Sequence, residues 1–193
     1  IRLPNKTVPI FAENYFMSNQ FSDLGITKEI VQSLEELQIT VPTDIQKKCI
    51  PVVLNKKDDL VALAKTGTGK TAAFGLPLLQ LINTENTAVQ AVILAPTREL
   101  AHQIHANLIS YAKHSPAISI ATVCGGIPIK PQIERLKTTT HIVVATPGRL
   151  VDLVKREAIN IKKLKFLVLD EADEMVTALK EDLDTIITGI PKA

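Results

Sequence analysis

Ala64-Lys65-Thr66-Gly67-Thr68-Gly69-Lys70-Thr71 is the stretch that decides the fold. It follows the apolar run Leu60 to Ala64 and precedes a helical pattern, about Lys70 to Ile82. Gly67 and Gly69 let the backbone wrap with its N–H groups turned inward, and a helix N-terminus behind them adds partial positive charge. The Lys70 ammonium can reach the β- and γ-phosphates of a nucleotide, and the Thr71 hydroxyl can ligate Mg²⁺. The usual pattern has Gly at the first position; Ala64 keeps that position small.

Working outward, the apolar runs Leu60 to Ala64, Ala91 to Ala95, Ile118 to Cys124, His141 to Ala145 and Phe166 to Leu169 predict five strands. Helical stretches are expected at about Lys70 to Ile82, Thr97 to Lys113, Pro128 to Leu136, Gly148 to Arg156 and Ala178 to Ile187. Alternation of the two predicts an α/β fold, a mostly parallel sheet with helices on both faces. Two amphipathic helices, Thr27 to Gln38 and Thr43 to Leu54, precede it, with Thr27 and Thr43 as N-caps. Residues 1–20 read as an arm or linker, and 21–193 as one domain.

In such a sheet ligands gather at the carboxyl ends of the strands. Those ends are where Gly67 to Thr71, Pro96-Thr97-Arg98, Gly125-Gly126, Thr146-Pro147-Gly148-Arg149 and Asp170-Glu171-Ala172-Asp173 are expected. Asp170, closing an apolar strand, can hold Mg²⁺, and Glu171 can orient or deprotonate a water.

Composition sets bounds. The chain has 193 residues, 46% of them hydrophobic, which suits an ordered domain with a sizeable core. No apolar run approaches the ~20 residues that span a bilayer. A net charge of +2 is too small to argue nucleic-acid binding by itself. Aromatic residues are 4% of the chain, so base stacking is not its main grip on a strand. Cys49 and Cys124 lack metal-ligand spacing and read as buried thiols in a reducing compartment. His102 and His105 share a helical face, but no third zinc ligand lies at a helpful spacing. The start lacks Met, so the chain is expected to be a piece of a longer protein.

Several separated motifs in order, from about Phe21 onward, resemble the first RecA-like lobe of a DEAD-box ATP-dependent RNA helicase. Val41-Pro42-Thr43-Asp44-Ile45-Gln46 resembles that family's Q motif. The resemblance implies that Gln46 reads the adenine edge through its amide, with Phe21 as the isolated upstream aromatic. The family normally has Gly-Phe or Gly-Tyr where this chain has Gln38-Ile39; Ile39 can pack on a base but cannot stack as an aromatic does. Together with Thr43, Thr66, Gly67, Thr68, Gly69, Lys70 and Thr71, these residues form the implied nucleotide site.

Pro96, Thr97, Arg98, Gly125, Gly126, Thr146, Pro147, Gly148 and Arg149 correspond to the family's RNA-facing segments. Arginines can pair with phosphates, hydroxyls can donate, and helix starts offer free N–H groups, a set that grips a sugar-phosphate track without reading bases.

By the same resemblance, Lys70, Asp170 and Glu171 serve catalysis and Asp173 couples to a second RecA-like lobe. The implied cofactors are ATP and Mg²⁺, the implied partner is RNA, and the implied form is a monomer not bound to a membrane. A cytoplasmic location is expected, with the nucleus compatible for a eukaryotic source. Two other readings stay open: a nucleotide- or RNA-binding module with little ATPase activity alone, and a lobe of a DNA helicase or translocase.

Overall fold

A computed structural model of the chain describes residues 20–55, 59–65 and 67–190. It divides into two units, residues 1–81 with 110–115, and residues 82–109 with 116–193.

The first unit is built on helices α1 (Lys28–Glu36), α2 (Asp44–Asn55) and α3 (Lys70–Leu81). Amphipathic spacing sets the buried face of α1, where Ile30, Ser33 and Leu34 point inward. Its end is a Schellman turn: Ile39 N–H donates to the Leu34 carbonyl and Gln38 N–H to that of Glu35. Gln38 takes the left-handed position at φ 59°, where glycine is the favoured residue.

Helix α3 is apolar nearly all round and packs against α2, burying Leu76, Leu78 and Leu79. Thr27 precedes α1 but its side chain makes no capping bond. Gln80 stitches that segment instead, accepting from Thr27 N–H at 2.9 Å and donating to the Gly25 carbonyl at 2.9 Å.

The run Leu60 to Ala64, expected as the first strand, forms none. Val61 is 66% and Leu63 92% exposed, so the run has no burial face. A strand exists through its ladder, and no described residue pairs with this run.

The second unit holds a four-stranded parallel sheet of β1 (Ala91–Leu94), β2 (Ile120–Val123), β3 (Ile142–Ala145) and β4 (Phe166–Leu169), in the order β2-β3-β1-β4. Non-consecutive neighbours require crossovers. Between the strands run α4 (Arg98–Tyr111), α5 (Ile129–Leu136) and α6 (Pro147–Lys155). Four of the five expected strands are therefore present, and these pair in parallel as expected.

Every residue of β1 and β3 is buried, and since side chains alternate, both sheet faces are covered. One face joins Val92, Leu94, Val143 and Ala145 to Leu150 and Leu153 of α6 in a single core. Beyond β4 the expected single helix is two, α7 (Ala172–Ala178) and α8 (Lys180–Gly189). They part at Leu179, whose φ of −129° is not helical. Among the described residues no helix is long and apolar enough to cross a membrane.

The two ends of this sheet are finished differently. At the amino end, buried Gln90 accepts from Asn83 N–H and donates to the carbonyls of Asn83 and Asn86. Arg135 there donates to the Thr140 and Ser119 hydroxyls and the Ile120 carbonyl. At the carboxyl end the loops open into a cleft.

Candidate functional site

In the first unit the Gly67–Thr71 turn runs directly into α3. Gly67 and Gly69 have φ of 80° and 87°, backbone that L side chains rarely adopt. A Cβ on Gly67 would meet nothing within 4 Å, so open space lies beside this residue. Lys70 and Thr71 sit half-buried in the first turn of α3, where helical N–H groups lack intrahelical partners. Free helix-start N–H groups, the Lys70 ammonium and the Thr71 hydroxyl make a donor set that fits a polyphosphate. Thr66 lies outside the described residues.

Gln46, 3% exposed, ties this turn to α2. Its Oε1 accepts from Thr43 N–H at 2.9 Å, the returning half of a capping box. Its Nε2 donates to the Gly69 carbonyl at 3.1 Å. A Cβ on Gly69 would lie 2.3 Å from that Nε2, so glycine is required for the close approach as well as for φ. The Thr43 hydroxyl donates to the Thr68 carbonyl at 2.9 Å rather than capping α2. Gln46 thus serves both as a capping residue and as a brace of the phosphate turn. Phe21 is 3% exposed and Ile39 is half-buried behind the Schellman turn.

In the second unit, the loops after β1, β2 and β3 line one cleft of about 500 Å³. Pro96, Arg98, Gly125, Gly126, Thr146, Pro147, Gly148 and Arg149 all face it. Thr97 does not line it; its Oγ1 accepts from Leu100 N–H at 3.2 Å and caps α4. Gly126 has φ 75°, and a Cβ there would come within 3.0 Å of Arg98 Nη1, so the guanidinium lies over bare backbone. Thr146 Oγ1 accepts from Gly125 N–H at 3.0 Å, leaving its hydroxyl hydrogen to donate outward. Arg149 donates from Nη2 to the Ile127 carbonyl at 2.9 Å, while its Nη1 is buried and unpartnered. A buried guanidinium nitrogen without an acceptor is costly, and an anionic oxygen in the cleft would satisfy it.

Beneath the cleft is the Cys124 thiol, whose pKa burial raises against the opposing pull of the Thr146 backbone and of Arg149 and Arg98. Burial likewise raises that of Cys49. Both cysteines are buried and unpaired, as the sequence suggests.

Asp170 follows β4, is 8% exposed, and donates its N–H to the Leu94 carbonyl at 3.0 Å, which ties it to β1. Glu171 is held at φ 55° and ψ 49°, a left-handed conformation costly for a residue with a Cβ and found at functional positions. Asp173 is exposed in the first turn of α7. Among the described residues no group of three or more His, Cys, Asp or Glu side chains could hold a metal alone.

Two residues of this region carry no motif. Gln132, 7% exposed on α5, accepts from Cys124 N–H at 3.0 Å. It also donates to the carbonyls of Cys124 and Pro128, both at 3.1 Å, so one amide fixes the Gly125-Gly126 loop. Its signal in the sequence is a glutamine set between Ile129, Ile133 and Leu136 on one helix. Asp182 of α8 reaches the cleft wall from a distant segment, and no local pattern marks it.

Comparison with known proteins agrees with this geometry. Residues 43–193 match the family model described as DEAD/DEAH box helicase. The chain is 42% identical over 174 residues to the DEAD-box ATP-dependent RNA helicase CshA of Streptococcus pneumoniae, covering 90% of this chain and 33% of that protein. It is 44% identical over 173 residues to the ATP-dependent RNA helicase DeaD of Escherichia coli, covering 89% and 27% respectively. The chain thus spans about a third of the length of these relatives.

Among solved structures, a DEAD box protein from the hyperthermophile Methanococcus jannaschii superposes with TM-score 0.84 at 40% identity, over 89% of this chain and 47% of that one. Saccharomyces cerevisiae Dbp5 bound to RNA and ADP BeF3 gives 0.82 at 30% identity, over 91% and 44%.

Proposed function

The chain belongs to the DEAD/DEAH box helicase family, and from that premise we propose that it is the nucleotide-binding, RNA-gripping lobe of an ATP-dependent RNA helicase. The observation that carries the RNA part is the cleft. Arg98, the Gly125-Gly126 turn, Thr146, Arg149 and the start of α6 converge there from three strand ends, and Arg149 has a buried Nη1 without an acceptor. These groups recognise phosphate and sugar, so binding is independent of sequence. RNA is preferred to DNA because the relatives are named RNA helicases and the Dbp5 neighbour carries RNA.

Each unit contributes its own chemistry. In the first, Lys70 and the N–H groups of Gly67 to Thr71 hold the nucleotide's phosphates, and Thr71 is a magnesium ligand through its hydroxyl. Gln46 retains one amide hydrogen and one lone pair beyond its two internal bonds, the complement an adenine edge needs. In the second, the Asp170 carboxylate is a magnesium ligand, and the bound ion supplies charge neutralisation. Glu171, held rigidly by its strained backbone, orients or deprotonates the attacking water. Asp173 couples nucleotide state to a second RecA-like lobe, which supplies arginines for the transition state. ATP binding draws the two lobes onto one strand, whose bending opens a short duplex, and hydrolysis resets the cycle. This chain by itself therefore binds nucleotide and turns over little of it.

In a longer protein carrying both lobes, Glu171→Gln is expected to keep nucleotide and RNA binding and to stop turnover. Normal RNA-stimulated ATPase rates in that variant would remove Glu171 from the mechanism.

A further inference from the structure

The segment Lys155 to Lys165 joins the end of α6 to the start of β4. Five of its residues are basic and one, Glu157, is acidic, a net charge of +4 where the whole chain carries +2. The rest of the chain is therefore net negative, and this charge is local. The segment is also firmly held. Ile159 and Ile161 are buried in the core under the sheet. Ala158 N–H donates to the Leu153 carbonyl at 2.9 Å, Leu164 N–H to that of Ile161 at 3.1 Å and Lys165 N–H to that of Gln90 at 2.8 Å. On this frame Lys155, Lys162, Lys163 and Lys165 are all exposed.

Elsewhere surface lysines find carboxylates, Lys113 at Glu36 and Lys137 at Glu134. Among the described residues no ion pair or hydrogen bond takes up the ammonium groups of Lys155, Lys162, Lys163 or Lys165. Arg156 differs, since at 2.6 Å it neutralises Asp152 of α6. Where α8 nears the segment it brings no acid. A Cβ on Gly189 would lie 3.9 Å from Ile161 Cδ1, whereas Glu181, Asp182 and Asp184 stand in the first half of that helix.

Helix α6 links these lysines to the cleft. It starts there at Pro147 and Gly148 and ends at Lys155, nine residues or about 13 Å away. The one acid between, Asp152, is the one that Arg156 cancels. A strand that leaves the start of α6 therefore meets free ammonium groups a helix length further on. Ammonium groups on flexible stems suit a phosphate track of variable spacing. An acidic protein also attracts lysines, but RNA is favoured because this surface continues one that already holds phosphates.

Resting on the RNA-cleft reading above, we propose that Lys155, Lys162, Lys163 and Lys165 form a second phosphate-binding surface, which holds RNA extending beyond the cleft. It acts on long strands alone. It keeps such a strand at high local concentration when the cleft lets go, and its grip is indifferent to sequence and sensitive to salt.

Fluorescence anisotropy of the full 193-residue chain tests this with fluorescent oligouridylates of about five and about 20 nucleotides, the shorter near the lower limit of single-strand sites. Polyglutamate serves as a competing probe. The triple variant Lys162→Gln, Lys163→Gln, Lys165→Gln is expected to lose about tenfold affinity for the long strand, the scale of three exposed charge pairs, and to bind the short one as before. Its slope of log affinity against log salt for the long strand becomes shallower by about 2, since each phosphate contact on a single strand contributes about 0.7. The matching triple arginine variant keeps the charges and stays within about twofold of the wild type.

Unchanged long-strand affinity in the glutamine variant overturns the proposal. If that variant instead loses polyglutamate, the surface is one for an acidic protein. Equal weakening of both strands overturns it as well, because it reports a diffuse field and not a second contact. So does an equal loss in the arginine variant, which would show that charge is not what matters. Failure of the wild type to bind either strand removes the cleft reading, and this inference with it.

Discussion

The phosphate turn of the first unit and the cleft loops of the second face similar chemistry, anionic oxygen, but are anchored by different means. The turn at Gly67 to Thr71 follows a run with no ladder among the described residues, and its braces are side chains: Gln46 to Gly69 and Thr43 to Thr68. The cleft loops grow from strands β1, β2 and β3, each paired in register to its neighbour. A ladder spreads its strength over many backbone bonds, whereas a side-chain brace can be cut by one substitution. The first unit's site is therefore the more fragile in sequence space, although its motif is the more recognisable.

Gln46→Ala should break this contrast most visibly. It removes a buried amide and both of its bonds, leaving Thr43 N–H and the Gly69 carbonyl without that partner, a loss of about 2–3 kcal/mol. Urea unfolding should show that loss together with weaker nucleotide binding, more so for ATP than for GTP. Equal weakening of both nucleotides would confine Gln46 to bracing.

Gln132→Ala is the corresponding cut in the second unit. Here the strands remain, so about 1–2 kcal/mol is expected, with RNA affinity reduced and nucleotide affinity unchanged. Unaltered RNA binding would show that the Gly125-Gly126 loop holds its shape without the glutamine.

Mild acid should act next, through His105 and His141, whose pKa values burial lowers from the usual 6.5. The Ile120 and Thr84 carbonyls oppose the shift in part. Below that ordinary value the unfolded chain takes up protons that the folded chain does not, so stability falls as pH falls. His141→Asn should flatten thermal melting midpoints between about pH 7 and pH 5 relative to the wild type. Parallel curves would place the acid sensitivity elsewhere. Glu36 adds a later loss. Hydrogen bonds from Lys113 and His114 lower its pKa from 4.5, so its contribution is present above that value and vanishes only in stronger acid.

The smallest effect belongs to Gln38. Its left-handed backbone at the end of α1 suits glycine, so Gln38→Gly should stabilise by up to about 1 kcal/mol. Destabilisation instead would mean that the glutamine side chain contributes contacts outweighing its strain.

Much of this was legible in the sequence because its signals are local. Gly-x-Gly-Lys-Thr opens α3 where expected, and Asp170 closes β4 where expected. Pro147 sits at the start of α6, a position its missing N–H suits. What escaped depends on distant partners. Leu60 to Ala64 has a strand's composition, but five residues do not encode what they pair with. Thr27 has a cap's chemistry, yet Gln80, 53 residues on, reaches the backbone instead. Gln132 and Asp182 sit on amphipathic helices where a polar residue reads as surface; only the folded loops reveal what they face. The left-handed Glu171 follows from no propensity, since residues with a Cβ seldom adopt that conformation.

The nucleotide's phosphates are assigned to the Gly67–Thr71 turn, and RNA to the cleft after β1, β2 and β3. This assignment is tested most directly by titrating Lys70→Ala and Arg149→Ala chains with ADP by calorimetry and with oligouridylate by anisotropy. The account predicts a crossed result: Lys70→Ala loses ADP and keeps RNA, while Arg149→Ala keeps ADP and loses RNA. Unchanged ADP affinity in Lys70→Ala, or unchanged RNA affinity in Arg149→Ala, would contradict it.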